Sequence, residues 1–184
     1  MSSPIDTVSN YFLAKDGNRP RLMRRVFTED AELEIVVMTD AISFPESARG
    51  IDAIEDILVR RFADEYENIY TFGLTRPTAT NRHHFPCHWL VGMSVKKDGQ
   101  VRVGCGQYDW YFTPDDRCLA ERLAITIDVM CVFPGTELDC LMTWLSSLPY
   151  PWCTPLEAVS TLPNIDGLTE VEQHLRKTRT NSLG

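Results

Sequence analysis

The sequence predicts an α+β fold: a cone-shaped, curved, mixed but mostly antiparallel β-sheet, three helices from the N-terminal half packed on its concave side, and a C-terminal extension. Three observations predict it. Apolar residues recur at three- and four-residue steps within the first 27 residues and again over 51–66, and from Asn68 onward the pattern changes to β-branched and aromatic runs split by turn signals. The chain has 184 residues, 43% of them in the set AVILMFWYC, enough for one sizeable core, and no linker or repeat divides it. A run of antiparallel strands after amphipathic helices calls for helices laid on one face of a sheet, which leaves a cone between them.

Ser3-Pro4-Ile5-Asp6 is a helix start, with a hydroxyl cap, a proline where no N–H is needed and a carboxylate at the positive end. That helix runs to about Lys15 with Val8, Tyr11 and Phe12 on its apolar face, and Asp16-Gly17-Asn18 stops it. A second short helix over 19–27 carries Leu22, Met23, Val26 and Phe27, ends at Thr28-Glu29-Asp30 and forms a hairpin with the first. Glu32 to Val37 is β-prone, and a loop over 40–49 leads to a long amphipathic helix bearing Ile51, Ile54, Ile57, Leu58, Phe62 and Tyr66.

Strands follow at about 69–79, 83–95, 101–113 and 118–133, separated by hairpin-type turns at Lys96-Lys97-Asp98-Gly99 and Thr113-Pro114-Asp115-Asp116. Beyond Phe133, Thr136 to Leu148 reads as a helix, and Leu148-Pro-Tyr-Pro-Trp-Cys-Thr-Pro as an apolar extended stretch that its prolines keep out of helix and central strand. The last fifteen residues are polar and read as a frayed tail. The expected organisation is a cone domain over 1–133, with 134–184 an extension packed on it.

Composition narrows the function classes. Twenty-six acidic against 18 basic side chains give a formal charge of −8, and no basic cluster exceeds Arg21/Arg24/Arg25 or Lys96-Lys97, which argues against nucleic acid. The six cysteines never form a Cys-x-x-Cys pair and mostly sit in apolar runs, as small core residues of a reducing compartment do. No basic region precedes an apolar stretch at the N-terminus and no 18-residue apolar run occurs, so a cytoplasmic protein with no membrane role is expected.

Nucleophile-elbow and phosphate-loop signatures are absent, and Gly104-x-Gly106-x-x-Asp109 lacks the third glycine and following helix of a dinucleotide site. His84 and His88 are four apart, but Pro86 and the β pattern deny them one helix face, so no metal and no cofactor is expected. What remains is a polar set in the strands: Asn81-Arg82-His83-His84-Phe85, Gly106 to Tyr111, and Glu121-Arg122. Alternation puts Cys105, Gln107, Asp109 and Tyr111 on one face and Gly106, Tyr108, Trp110 and Phe112 on the other. With Asp109 on the concave side its charged form would be disfavoured, suiting a donor or general acid, and His84 would be the base. A register shift of one residue exchanges the faces and puts Asp109 in solvent. Gln107, Tyr111, Arg122, His88 and Trp89 are the candidates for substrate contact, while Trp144, Tyr150 and Trp152 cover apolar surface at the pocket mouth or a dimer contact.

Over about residues 4–133 the chain resembles the nuclear-transport-factor-2-like, or SnoaL-like, domains of cystatin-like cone fold, which include ketosteroid isomerase, scytalone dehydratase and polyketide cyclases. The resemblance is carried by Val26-Phe27-Thr28-Glu29-Asp30-Ala31-Glu32-Leu33, by Gly50-Ile51-Asp52-Ala53-Ile54 and by Gly106-Gln107-Tyr108-Asp109-Trp110-Tyr111-Phe112. It implies that Tyr11 is an oxyanion-holding tyrosine and Asp109 a protonated aspartate donor, a device for which ketosteroid isomerase is the standard example. The isomerase base falls at about Ile35, which cannot accept a proton. His84-Phe85 resembles the first catalytic histidine of scytalone dehydratase, and Asp109-Trp110-Tyr111 its His-Trp-Tyr. The implied function is a cofactor-independent lyase or isomerase, of dehydratase, isomerase or cyclase type, acting by proton abstraction on a small apolar carbonyl or polyketide- or steroid-like compound. His84, Asp109 and Tyr11 would be catalytic. The alternative is a non-catalytic hydrophobic ligand-binding or dimerisation domain. The resemblance also implies a homodimer through the convex sheet face.

Overall fold

A computed structural model of the chain describes residues 2–181. Helix α1 (Pro4–Asp16) starts as expected: the Ser3 hydroxyl accepts from the Asp6 N–H at 3.4 Å, the Asp6 carboxylate accepts from the Ser3 N–H at 3.0 Å, and Pro4 occupies the first turn. Val8, Tyr11 and Phe12 are fully buried. The second helix is a 3-10 segment, Pro20–Arg25, packed against α1. It ends early because strand β1 (Phe27–Val37) begins at once, with Phe27 paired to Ala120; Thr28-Glu29-Asp30 is therefore strand. After β2 (Ser47–Arg49) the third helix runs as α2 (Ile51–Glu55), a π-helical turn (Asp56–Arg60) and α3 (Arg61–Glu65).

Strands β3 (Tyr66–Gly73), β4 (His84–Val95), β5 (Val101–Phe112) and β6 (Ala120–Phe133) complete one sheet of order β2-β1-β6-β5-β4-β3. Only β1 and β6 are parallel neighbours. Register shifts at Cys105/Gly106 and Tyr111/Phe112 bend the long β5–β6 pair, the device by which a sheet curves round a core. This is the mixed, mostly antiparallel cone sheet that the sequence predicts.

Each face has its own core. On the inner face Phe85, Trp89, Met93, Tyr108, Trp110 and Leu123 are buried with α1 and the α2–α3 helix. On the outer face Leu90, Val101, Val103 and Phe133 are covered by α4 (Leu138–Ser147), α5 (Pro155–Ser160) and α6 (Thr169–Asn181), through Leu141, Leu145, Val171 and Leu175. The frayed tail is corrected here: Leu168, Val171, Leu175 and Thr178 recur at helical spacing and are all buried, a sparse stripe hidden in a polar composition. Residues 182–184 lie outside the described residues.

Between α4 and α5 the proline-rich stretch is extended, as expected, and lies along edge strand β3. The Gly73 N–H donates to Pro151 O at 2.9 Å and the Cys153 N–H to Gly73 O at 3.1 Å, which caps the free edge. Trp152 turns to the inner side, 5.4 Å from Phe12, and its indole N–H donates to Ser9 Oγ at 3.1 Å. A Cβ on Gly73 would strike that indole, so glycine is required where the strap crosses. Cys87, Cys105, Cys118 and Cys153 are buried, in keeping with their apolar runs.

Candidate functional site

The cone is not filled completely. A cavity of about 40 Å3 lies between the sheet, the last turn of α1 and the α2–α3 helix, walled by Leu58, Phe62, Trp89, Met93, Tyr108 and Met130 among others. Ile42, Phe44 and Phe62 belong both to this wall and to an adjoining surface groove of about 200 Å3, so the loop before β2 stands between the cavity and solvent. The cavity has room for about three water molecules, at roughly 10–15 Å3 each.

Among the described residues Lys15 is the only charged side chain in that wall. It occupies the last turn of α1, where the helix dipole favours a cation, and its spacing from Val8, Tyr11 and Phe12 puts it on the buried stripe. The residue is 6% exposed. Its Nζ donates to Thr71 Oγ1 at 2.9 Å, lies 3.4 Å from Asp16 Oδ1 and sits 4.2 Å from the centre of the Phe62 ring. Burial pushes the Lys15 pKa below the ordinary 10.5, against the opposing pull of Asp16.

Asp16 is half-buried as a residue, with its side chain only 5% exposed and well supplied with donors. It accepts from the Thr71 N–H and hydroxyl, each at 2.7 Å, and from the Tyr150 hydroxyl at 3.0 Å. These bonds tie α1, edge strand and strap together beside the cavity. Trp89, opposite Gly106 on the neighbouring strand, lines the same wall, and its buried indole N–H has no partner among the described residues. An unmet buried donor costs about 1–3 kcal/mol, which a ligand acceptor would recover.

Of the residues expected at the site, Trp89 lines the cavity and Tyr11 is on the inner face behind it, 5.7 Å from Tyr108 and 5.1 Å from Trp110 by ring centres. Burial raises both phenols above the ordinary 10.0, which keeps them neutral donors. The placement of Asp109 on the concave side is corrected. Asp109, Gln107 and Tyr111 share one face as alternation requires, but it is the outer face. His84 Nε2 lies 3.0 Å from Asp109 Oδ1, and Gln107 Nε2 donates to Asp109 Oδ2 at 2.9 Å. Tyr111 stacks on His84 at 4.7 Å, Arg122 lies 5.1 Å from the Tyr111 ring, and Arg122 pairs with Glu34 at 2.8 Å. His88 is also outer, its ring 5.7 Å from His174 of α6. His84 and Asp109 therefore meet each other, with the whole sheet between them and Tyr11.

The inversion has a legible cause. In β4 the apolar set Phe85, Cys87, Trp89, Val91, Met93 and Val95 faces one way without a charge, and register pairs Phe85 with Trp110. That set must meet the apolar stripe of α1, which sends Asp109 to the other side. Among the described residues no group of three or more His, Cys, Asp or Glu side chains is placed to hold a metal ion. No helix there is long and apolar enough to cross a membrane.

No protein-family model matches the sequence, and no curated protein matches it significantly. Solved structures do match. A nuclear transport factor 2-like superfamily protein from Salmonella enterica is similar at 12% identity and a TM-score of 0.54, over 68% of this chain and 88% of the other. A type 2 hexachlorocyclohexane dehydrochlorinase, LinA, is similar at 14% identity and a TM-score of 0.53, over 71% and 86%. A protein of ketosteroid isomerase-like fold from Catenulispora acidiphila, in complex with trimethylamine, is similar at 14% identity and a TM-score of 0.51, over 67% and 85%. The chain therefore has the nuclear-transport-factor-2-like cone fold, with further helices laid on the outside of its sheet.

Proposed function

We propose that the protein is a cofactor-independent lyase or isomerase that takes a small, apolar carbonyl compound into the cone, and that Lys15 carries the chemistry there. The observation that supports this is a single desolvated amine in an otherwise apolar cavity wall. An apolar ligand in that space has its one polar atom to place, and the charged group in the wall to receive it is the Lys15 amine. A lysine with a lowered pKa is a base or nucleophile nearer to neutral pH than an exposed one. The proton-transfer role assigned to His84 thus passes to Lys15, with Tyr108 and Tyr11 as neutral phenols on the same side. A volume near 40 Å3 suits a ligand of about three to five non-hydrogen atoms, smaller than the steroid- or polyketide-like compounds of the resemblance. Structural neighbours that include a hexachlorocyclohexane dehydrochlorinase and a protein in complex with trimethylamine support a reading in which this fold serves small molecules.

The small cavity and the bonding of Lys15 to Thr71 also favour a second reading, a non-catalytic ligand-binding domain. Hydrogen–deuterium exchange at the carbon next to the carbonyl separates the two. Small ketones in heavy water are expected to exchange faster with the protein than in buffer, with Lys15→Met losing the acceleration and His84→Ala keeping it. Ligand-induced shifts at the Met93 and Met130 methyls without any exchange support the binding domain instead. The homodimer belongs to the same proposal, on the part of the outer face that α4–α6 leave uncovered, and a concentration-independent monomer in sedimentation removes it. A cytoplasmic setting is supported by the buried free thiols.

A further inference from the structure

We infer that Lys15 captures its carbonyl ligand covalently, as an imine, with Asp16 as the counter-ion of the protonated adduct. The inference rests on the reading that the cavity takes a small carbonyl compound, and it specifies how.

Lys15 is the only amine in a wall of aliphatic, aromatic and thioether side chains, so a carbonyl carbon admitted to that space meets one nucleophile. The amine is held in place: Thr71 Oγ1 accepts from it at 2.9 Å, and the Phe62 ring packs 4.2 Å away. Desolvation lowers its pKa, which raises the share of neutral, nucleophilic amine below pH 10.5. The Thr71 hydroxyl in turn donates to Asp16 at 2.7 Å, so nitrogen, hydroxyl and carboxylate form one hydrogen-bonded chain for moving a proton away from the attacking nitrogen and back to the carbonyl oxygen. In the reaction, the amine nitrogen bonds to the carbonyl carbon as the C=O π bond opens. The carbonyl oxygen then leaves as one water, taking up the two hydrogens of the amine, and a C=N bond remains. The imine nitrogen takes a proton from solvent, and the resulting cation keeps the partner the ammonium had, Asp16 at 3.4 Å. That carboxylate is fixed by the Thr71 N–H and the Tyr150 hydroxyl, whatever Lys15 carries. Apolar walls limit the water that would hydrolyse the adduct.

Reductive trapping tests this on the wild-type chain. Acetone and cyanoborohydride at neutral pH convert an imine into an isopropyl amine, located by peptide mapping. The expected result is an isopropyl group carried predominantly by Lys15 over Lys96, Lys97 and Lys177, because desolvation raises its share of neutral amine. Label spread evenly over the lysines, or absent from Lys15 while acetone shifts the Met93 and Met130 methyls, overturns the imine and leaves the cavity reading standing. No label and no methyl shift with any small ketone removes both.

Discussion

The two faces of the sheet use aromatic and polar residues to opposite ends. On the inner face the aromatic rings close round a small cavity and leave one amine in its wall, desolvated and shifted. On the outer face α4–α6 cover one part, and the remainder carries the denser polar constellation, His84, Asp109, Gln107, Tyr111, Arg122 and Glu34. Those groups satisfy one another in partial contact with water: the side chains of His84 and Asp109 are 45% and 27% exposed. Screened pairs of that kind contribute little, whereas one amine without water is changed in both charge preference and reactivity. The lesson is that the density of polar residues in a strand does not locate a site; desolvation does.

The contrast is broken most severely by removing the outer cover. A chain ending after Phe133 exposes Leu90, Val101, Val103 and Phe133 and is expected to lose its cooperative thermal transition, followed by circular dichroism. A truncated chain that melts as the whole one does would show that the outer face needs no cover. On the inner side Trp152→Ala should lower stability by about 3–5 kcal/mol in urea unfolding, since a fully packed indole leaves a large void. Leu145→Ala, its counterpart on the outer side, should lose about 2–5 kcal/mol.

Acid sharpens the comparison further. Burial holds the His174 pKa below 6.5, with His88 and Lys177 adding to the effect and Asp128 opposing it. The unfolded chain therefore binds the proton first, and stability falls as pH drops from 6.5 through the folded value. His174→Gln should flatten that part of the urea midpoint against pH curve, and an unchanged slope would assign acid sensitivity elsewhere. The smallest effects belong to the exposed pair: His84→Ala and Asp109→Asn should each change stability by under about 1 kcal/mol and leave ketone exchange intact.

Much of the fold was legible because it is written in local signals. The Ser3-Pro4-Ile5-Asp6 cap, the turns after β4 and β5 and the alternation of β5 each act within a few residues. The parallel pairing of β1 with β6 was not legible, because it joins segments far apart in the chain and needs only a run of β-prone residues from each. The site was half legible: the strand faces divided correctly, but which face is inner depends on what α1 buries. Lys15 was overlooked because a lysine at a helix end ordinarily reaches solvent along its own methylenes. Its place on the Val8, Tyr11 and Phe12 stripe was the available signal. The α6 stripe failed to register for a related reason, since three apolar residues in a charged segment lower its polarity very little.

The most direct test of the inner face as the functional one is the titration of Lys15 by NMR of protein labelled with 13C at lysine and histidine, with and without acetone. The predicted result is a Lys15 midpoint below 10.5 and a Lys15 signal that moves when acetone is added while the His84 ring signals do not. A Lys15 midpoint at or above 10.5 with no response to the ketone, or a response at His84 instead, contradicts it.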